Sequence, residues 1–192
     1  MKAKWLGVAL GCAVLAGGAA GCGQGRAIFN VDVYSFLKGT GRDTLRLPPD
    51  PLPPLPPSTT VTDSVTPIAV NLPGAGSSIV DTVRLIGTLD VTNPTSSGTL
   101  TYQIFFASSP SPAVVYGSAP ALTVGPASFP AATTSVPISA PNLAAPLRDL
   151  FKSSALYVGI RGTISNTGTT GLRTTLKLTQ LQATIIIQDK IF

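Results

Sequence analysis

The stretch LRTTLKLTQLQATIIIQ, residues 172–188, decides the fold. Leu172, Leu176 and Leu178 fall on even positions, whereas Leu181, Ala183, Ile185 and Ile187 fall on odd ones. Side chains along a strand alternate faces with a period of two, so both sets can share one buried face only across a bulge or bend near Thr179–Gln180. A bend of that kind is expected to let the strand pass between two packed sheets. Upstream, ALYVGIRGTIS (155–165) reads as its partner, with NTGTTG between them closing a final hairpin. TIIIQ (184–188) is an aggregation-prone window, with Asp189 and Lys190 placed as gatekeepers.

Working outward, the same alternation recurs. DTVRLIGTLDVTN (81–93) sets Val83, Leu85, Leu89 and Val91 on one face, and LTYQIFFAS (100–108) does the same with Leu100, Tyr102, Ile104 and Phe106. NPTSSG (93–98) is expected to join them as a hairpin. RAIFNVDVYSFL (26–37) and VTPIAVNLP (65–73) read as further strands. AVVYG, ALTVG and TTSVPIS read as short ones, confined by proline to edges or bulges. NLAAPLRDLFKSS (142–154) instead spaces Leu143, Leu147, Leu150 and Phe151 as a helix, with Asn142 as its expected cap. The sum is all-β: an immunoglobulin-like antiparallel β-sandwich of about 7–9 strands with one short helix near 142–153.

PPDPLPPLPP (48–57) holds seven prolines in ten residues and predicts a polyproline II rod of about 31 Å, serving as a strap or spacer. The expected organisation is therefore a leader over 1–21, an anchor and first strand over 22–47, the proline-rich strap over 48–60 and the sandwich over 61–192. The strand at 26–37 is expected to join that sandwich.

At the amino terminus, Lys2 and Lys4 precede WLGVALGCAVLAGGAAG (5–21), which has no charge and five glycines. That run is too short and too glycine-rich for a spanning helix and has the pattern of a signal peptide. AAGC (19–22) resembles the lipobox of bacterial lipoproteins, with Ala19 where that family usually has Leu. The resemblance covers residues 1–22 only. It implies a diacylglycerol on the Cys22 sulfur, cleavage before Cys22 and acylation (palmitate among the chains) of the new amino group. Gly23 in the next position resembles sorting to an outer membrane. Cys12 would leave with the leader, so the mature chain would hold no thiol, disulfide or cysteine metal site. From Cys22 to Arg26 the chain spans about 14 Å at most, which puts the first strand near the headgroups, with Lys38, Arg42 and Arg46 available to them.

Composition narrows the chemistry. The net charge is +5, of which Lys2 and Lys4 belong to the leader, and the other basic residues are scattered, so no nucleic-acid partner is expected. Charged residues make up 11%, less than half of the ordinary share, which suits a surface held against a membrane or a partner. There is no His and no Glu; all eight acids are Asp. That removes imidazole chemistry and the usual carboxylate bases. Ser35–Lys38 has SxxK spacing, but a strand there would turn the two side chains apart. Asn30 with Asp32, and Asp90 with Asn93, have too few oxygens for calcium. Tyr34 and Tyr116 are candidate surface rings for sugars, while Tyr102 and Tyr157 belong to strand patterns. Phe192 resembles the closing aromatic of an outer-membrane barrel, but Lys190, Gln188, Ile186 and Thr184 break the required alternation.

The expected protein is a non-enzymatic, lipid-anchored subunit of the bacterial cell envelope, structural or interacting. Its membrane contact runs through the lipid at Cys22, its partner is an envelope protein, and it carries no metal and no cofactor. The alternative is a carrier for an apolar small molecule between the sheets. A hydrolase reading would need Asp81, Asp90 or Asp149 gathered beside a Ser in a cleft.

Overall fold

The structure, a computed structural model, describes residues 26–72 and 78–188. The leader, Cys22, Asp189, Lys190 and Phe192 lie outside the described residues. Strand β10, Thr174–Gln188, is the axis of the first sheet. It pairs antiparallel along nearly its whole length with β5, Ile79–Thr92. Leu178 stands opposite Leu89 and Gln180 opposite Thr88, so Thr179 is the extra residue of a bulge, and its hydroxyl donates to the Thr88 carbonyl at 3.2 Å. The phase change expected at Thr179–Gln180 is thereby absorbed: Leu176, Leu178, Leu181, Ala183, Ile185 and Ile187 are all buried on one face. The strand does not pass between sheets as expected. It stays in one and changes its edge partner instead, pairing β2 (Thr44–Leu47) before the bulge and β1 (Arg26–Asp32) after it.

The interval between β1 and β2 holds α1, Val33–Gly39, where the sequence reading has a continuous strand. Asp32 stops the strand by capping: its Oδ1 accepts from the Ser35 amide at 3.3 Å, and the Ser35 hydroxyl donates back to the Asp32 carbonyl at 2.8 Å. Val33 and Leu37 then bury one side of a short helix by i, i+4 spacing.

The first sheet runs β1/β2–β10–β5–β8, with β8 at Thr134–Ala140. The second runs β3/β4–β9–β6–β7, with β3 Thr60–Ser64, β4 Ile68–Asn71, β6 Gly98–Ala107, β7 Leu122–Phe129 and β9 Ala155–Asn166. Counting each split edge as one, the ten strands among the described residues fill eight positions, four per sheet, in chain order 1-8-3-6 and 2-7-4-5. The expected antiparallel all-β sandwich is therefore present, but its strand order is that of the double-sheet jelly roll and not the immunoglobulin-like one expected. Both sheets are open, and their inner faces share one core in which Leu85, Leu89, Ile104, Ile160, Leu178 and Leu181 are at most 1% exposed.

Two expected hairpins are instead arches between the sheets. Residues 93–98 lead from β5 in the first sheet to β6 in the second, and residues 167–173 lead from β9 back to β10. A returning strand shows its partner the same buried face whether it lies beside it or about 10 Å across the core, so alternation cannot separate the two. AVVYG is likewise not a strand but most of α2, Pro112–Gly117, which opens with a proline at its first turn. It covers Phe105 and Ala107 on the outer face of the second sheet, where the Arg161 guanidinium sits 5.1 Å from the Phe105 ring and 4.9 Å from the Tyr116 ring. The predicted helix near 142–153 is α3, Ala145–Leu150. Asn142 does not cap it; its side chain accepts from the Val83 amide at 3.3 Å and ties the helix approach to β5.

The proline segment crosses one end of the sandwich from β2 to β3. It is a strap, not a straight rod: Leu47–Pro48 and Asp50–Pro51 are cis, Leu52 turns back to the Pro49 carbonyl, and Leu55 pairs with Leu172 through two bonds of 2.8 and 2.9 Å.

The bulge explains a glycine in a strand otherwise rich in branched residues. A Cβ on Gly87 would lie 2.3 Å from the Gln180 carbonyl oxygen. Gly87→Ala is expected to cost about 1–3 kcal/mol by crowding, outweighing the lower backbone entropy of Ala. A urea midpoint that falls with unchanged slope would show this; an unchanged midpoint would mean that the bulged backbone yields freely.

Candidate functional site

The expected site residues do not converge. Cys22 lies outside the described residues. Ser35 and Lys38 do share a face of α1, contrary to the strand expectation, but the Ser35 hydroxyl is bonded to the Asp32 carbonyl and the Lys38 amine stands 5.8 Å from the Tyr34 ring centroid. Asn30 accepts from the Thr184 hydroxyl at 2.8 Å, and Asp90 from the Ser135 hydroxyl at 2.6 Å. Asp81 pairs with Arg26 at 3.1 Å and Asp149 with Lys152 at 2.7 Å. Asp90 therefore does stand beside a serine, but in an exposed cross-strand pair between β5 and β8, while Asp81 and Asp149 are paired with cations elsewhere. No group of three or more potential metal ligands occurs among the described residues. Tyr102 is core, as expected, whereas Tyr116 is half-buried and held: its hydroxyl donates to the Val65 carbonyl and accepts from the Ile160 amide at 3.2 Å.

What the fold does gather lies at the two ends of β10, about 46 Å apart at 3.3 Å per residue. At the Thr174 end the strap and both arches meet on Asn166, which is 1% exposed. Its Nδ2 donates to the Leu55 and Thr170 carbonyls at 2.8 and 2.7 Å. Its Oδ1 accepts from the Ser96 hydroxyl at 3.3 Å and the Gly168 amide at 3.0 Å. An amide alone offers two donors and two acceptors in one plane, and all four are used. The sequence marks Asn166 only as a turn residue; nothing local shows that two distant segments, the strap and the 93–98 arch, need it.

Above that hub, the exposed Asp50 carboxylate clamps two arginines, Arg46 at 2.8 Å and Arg173 at 2.6 Å, and Arg173 also donates to the Leu52 carbonyl. A hollow of about 130 Å³ lies against the same arginines, lined also by Asn93, Thr95, Thr174 and Thr175. Two guanidiniums against one carboxylate leave it a single positive charge and several hydroxyl donors. Arg46 is therefore both committed to Asp50 and far from the Arg26 end; Arg42 donates to the Thr66 carbonyl at 2.6 Å.

At the Gln188 end, Arg26 of β1 bonds Asp81 of β5, and Arg148 from the α3 side donates to the Asp81 carbonyl. Here β1 enters the sheet along the free side of β10, four residues after Cys22. No helix among the described residues is long and apolar enough to cross a membrane.

Two measurements probe the Thr174 end. Asn166→Asp replaces both donors with an acceptor facing two carbonyls, so an expected loss of about 2–4 kcal/mol should appear in denaturant unfolding. Hydrogen bonds from Arg46 first and Arg173 second hold the Asp50 carboxyl below its ordinary 3.8. A carboxylate with a depressed folded-state pKa contributes stability that is present above the unfolded value and lost as pH falls through the folded one. Carbon NMR titration should therefore find the Asp50 midpoint below 3.8, moving up more in Arg46→Gln than in Arg173→Gln.

No protein-family model matches the sequence, and no curated protein matches it. Among solved structures, the chain is similar to one in the structure of infectious bursal disease virus, Gt strain, at TM-score 0.41 and 9% identity, over 87% of this chain and 38% of that one. It is also similar to one from the Gx strain, at TM-score 0.36 and 8% identity, over 88% of this chain and 33% of that one. The chain spans about a third of the length of these virus chains.

Proposed function

We propose that the protein is a lipid-anchored β-sandwich of the bacterial cell envelope, held through acylated Cys22 in an outer membrane, and that it works as a structural or protein-interaction subunit and not as an enzyme. The observation that carries this reading is the place of β1. It begins four residues after Cys22 and forms an edge of the first sheet. A lipid there would hold that edge at the membrane surface, within about 14 Å of the attachment point.

The edges differ in how they invite partners. β7 contains the cis Gly125–Pro126 bond, β8 contains Pro137, and Pro67 falls between β3 and β4. Prolines and breaks of this kind blunt an edge against strand addition. β1 is seven residues, RAIFNVD, without proline. An extended segment of an envelope protein could add to it by main-chain pairing. Between the sheets, where the carrier reading would put an apolar ligand, Leu85, Leu89, Ile104, Ile160, Leu178 and their neighbours pack into one core cluster, which favours the first reading.

The test is native extraction of the full-length protein in mild detergent beside Cys22→Ala, with mass spectrometry of the protein and of what accompanies it. Expected are acyl mass on Cys22, a protein partner in fixed ratio, and release of Cys22→Ala from the membrane fraction. Full-length protein without acyl mass, or a variant that still fractionates with membrane, would overturn the anchor. A lone protein carrying one apolar small molecule would favour the carrier.

A further inference from the structure

We infer that the isoleucine patch formed by Ile28, Ile79 and Ile186 is a membrane-contact surface, seating the Gln188 end of the first sheet in the headgroup–acyl boundary beside the lipid. This inference rests on the anchoring reading of Cys22. Ile28 on β1 stands directly opposite Ile186 on β10, and Ile79 on β5 stands opposite Gln188, one diagonal step away. Opposed side chains on a sheet face lie about 5 Å apart, which pairs Ile28 with Ile186; Ile79 lies diagonally across β10, past the register shift between Ile186 and Ile187, with the Arg26–Asp81 ion pair joining β1 to β5 at the same end. Ile28 is 63% exposed and Ile79 37%, and both are among the largest exposed apolar side chains. A cross-strand position beside a half-buried isoleucine could have carried Thr, as much of this face does.

Position argues for lipid over another occupant. Ile28 is six residues from Cys22, so the patch lies within about 22 Å of the attachment point even if the chain is fully extended. One row inward of the patch, Asn30 and Thr184 bond each other at 2.8 Å and β10 shows Gln182 and Gln180, while Ile86 of β5, opposite Gln182 and 50% exposed, is a further apolar side chain on this face. The flanking charge fits an anionic surface. Arg84, opposite Thr184, is exposed, and Arg26 is 58% exposed while it pairs with Asp81. Apolar side chains flanked by arginine are the composition that inserts at an interface, with the cations at the phosphates.

The test uses the acylated full-length protein in vesicles of phosphatidylcholine and phosphatidylglycerol. An environment-sensitive fluorophore is placed on Ile28→Cys, and on Thr169→Cys in the exposed arch at the far end as the reference. Nitroxide-labelled lipids serve as quencher, and acylation of Cys22 is read by mass. The expected result is a blue-shifted, quenched label at Ile28→Cys, no quenching at Thr169→Cys, and loss of the Ile28→Cys quenching when Ile79 is also changed to Ser. Acylated protein whose Ile28→Cys label is unquenched would overturn the contact while leaving the anchor in place. A blue-shifted but unquenched label would mean that protein covers the patch, a second copy or a segment of this chain, and overturns the contact equally. Absence of acyl mass would overturn the anchor and this inference together.

Discussion

The bulge at Thr179 is the constraint on which the rest of the sandwich depends. β10 lies between both edge strands and β5, so its inward face is the floor of the core from one end to the other. Without one extra residue, either Leu176 and Leu178 or Leu181 through Ile187 would turn to solvent. Each such side chain returned to water forfeits about 1.5–3 kcal/mol. The bulge keeps both sets inside and makes a second demand across the strand, since only Gly87 leaves room for the displaced Gln180 carbonyl. It also marks where the edge changes from β2 to β1, so that α1 can pack in the gap with Leu37 fully buried.

Surface electrostatics contribute little to this fold. The four ion pairs among the described residues all join side chains that are at least 37% exposed, a class worth about 0–1 kcal/mol each. The outer face of the second sheet replaces charge with hydroxyls paired across strands, Thr60 with Ser165 at 2.7 Å and Thr62 with Thr163 at 2.8 Å. These satisfy polar groups and keep the sheet wettable without fields that repel an anionic surface or a partner. The ends of the molecule are correspondingly specialised. One is closed by a fully bonded amide and an arginine clamp; the other carries isoleucines and the amino-terminal edge.

At the amino-terminal edge, the alternation in RAIFNVD was legible residue by residue, since short-range patterns need no tertiary information. The isoleucine patch was not, because Ile28, Ile79 and Ile186 are separated by many residues and only the register of β1, β10 and β5 brings them together. Asn166 was invisible for the same reason. A turn asparagine and a buried four-bond hub have the same letter and the same neighbours in sequence, and the difference is made by Leu55 and Ser96 arriving from elsewhere.

The sequence by itself determined most of the strands, though not β2 and β3, together with their buried faces, the bulge and the class of the fold, because side-chain alternation is a local property that burial of one face makes readable. It misjudged residues 33–39 and 112–117, where an i, i+4 apolar pair or a leading proline competes with alternation over too few residues to decide. Only the tertiary structure decided that residues 93–98 and 167–173 are arches and not hairpins, and hence that the sandwich is a jelly roll. The physical reason is symmetry of the core: a buried apolar face is satisfied equally by a neighbour beside it or by one across from it. The choice falls to contacts between segments far apart in the chain, among them the Asn166 amide that holds both arches and the strap at one end.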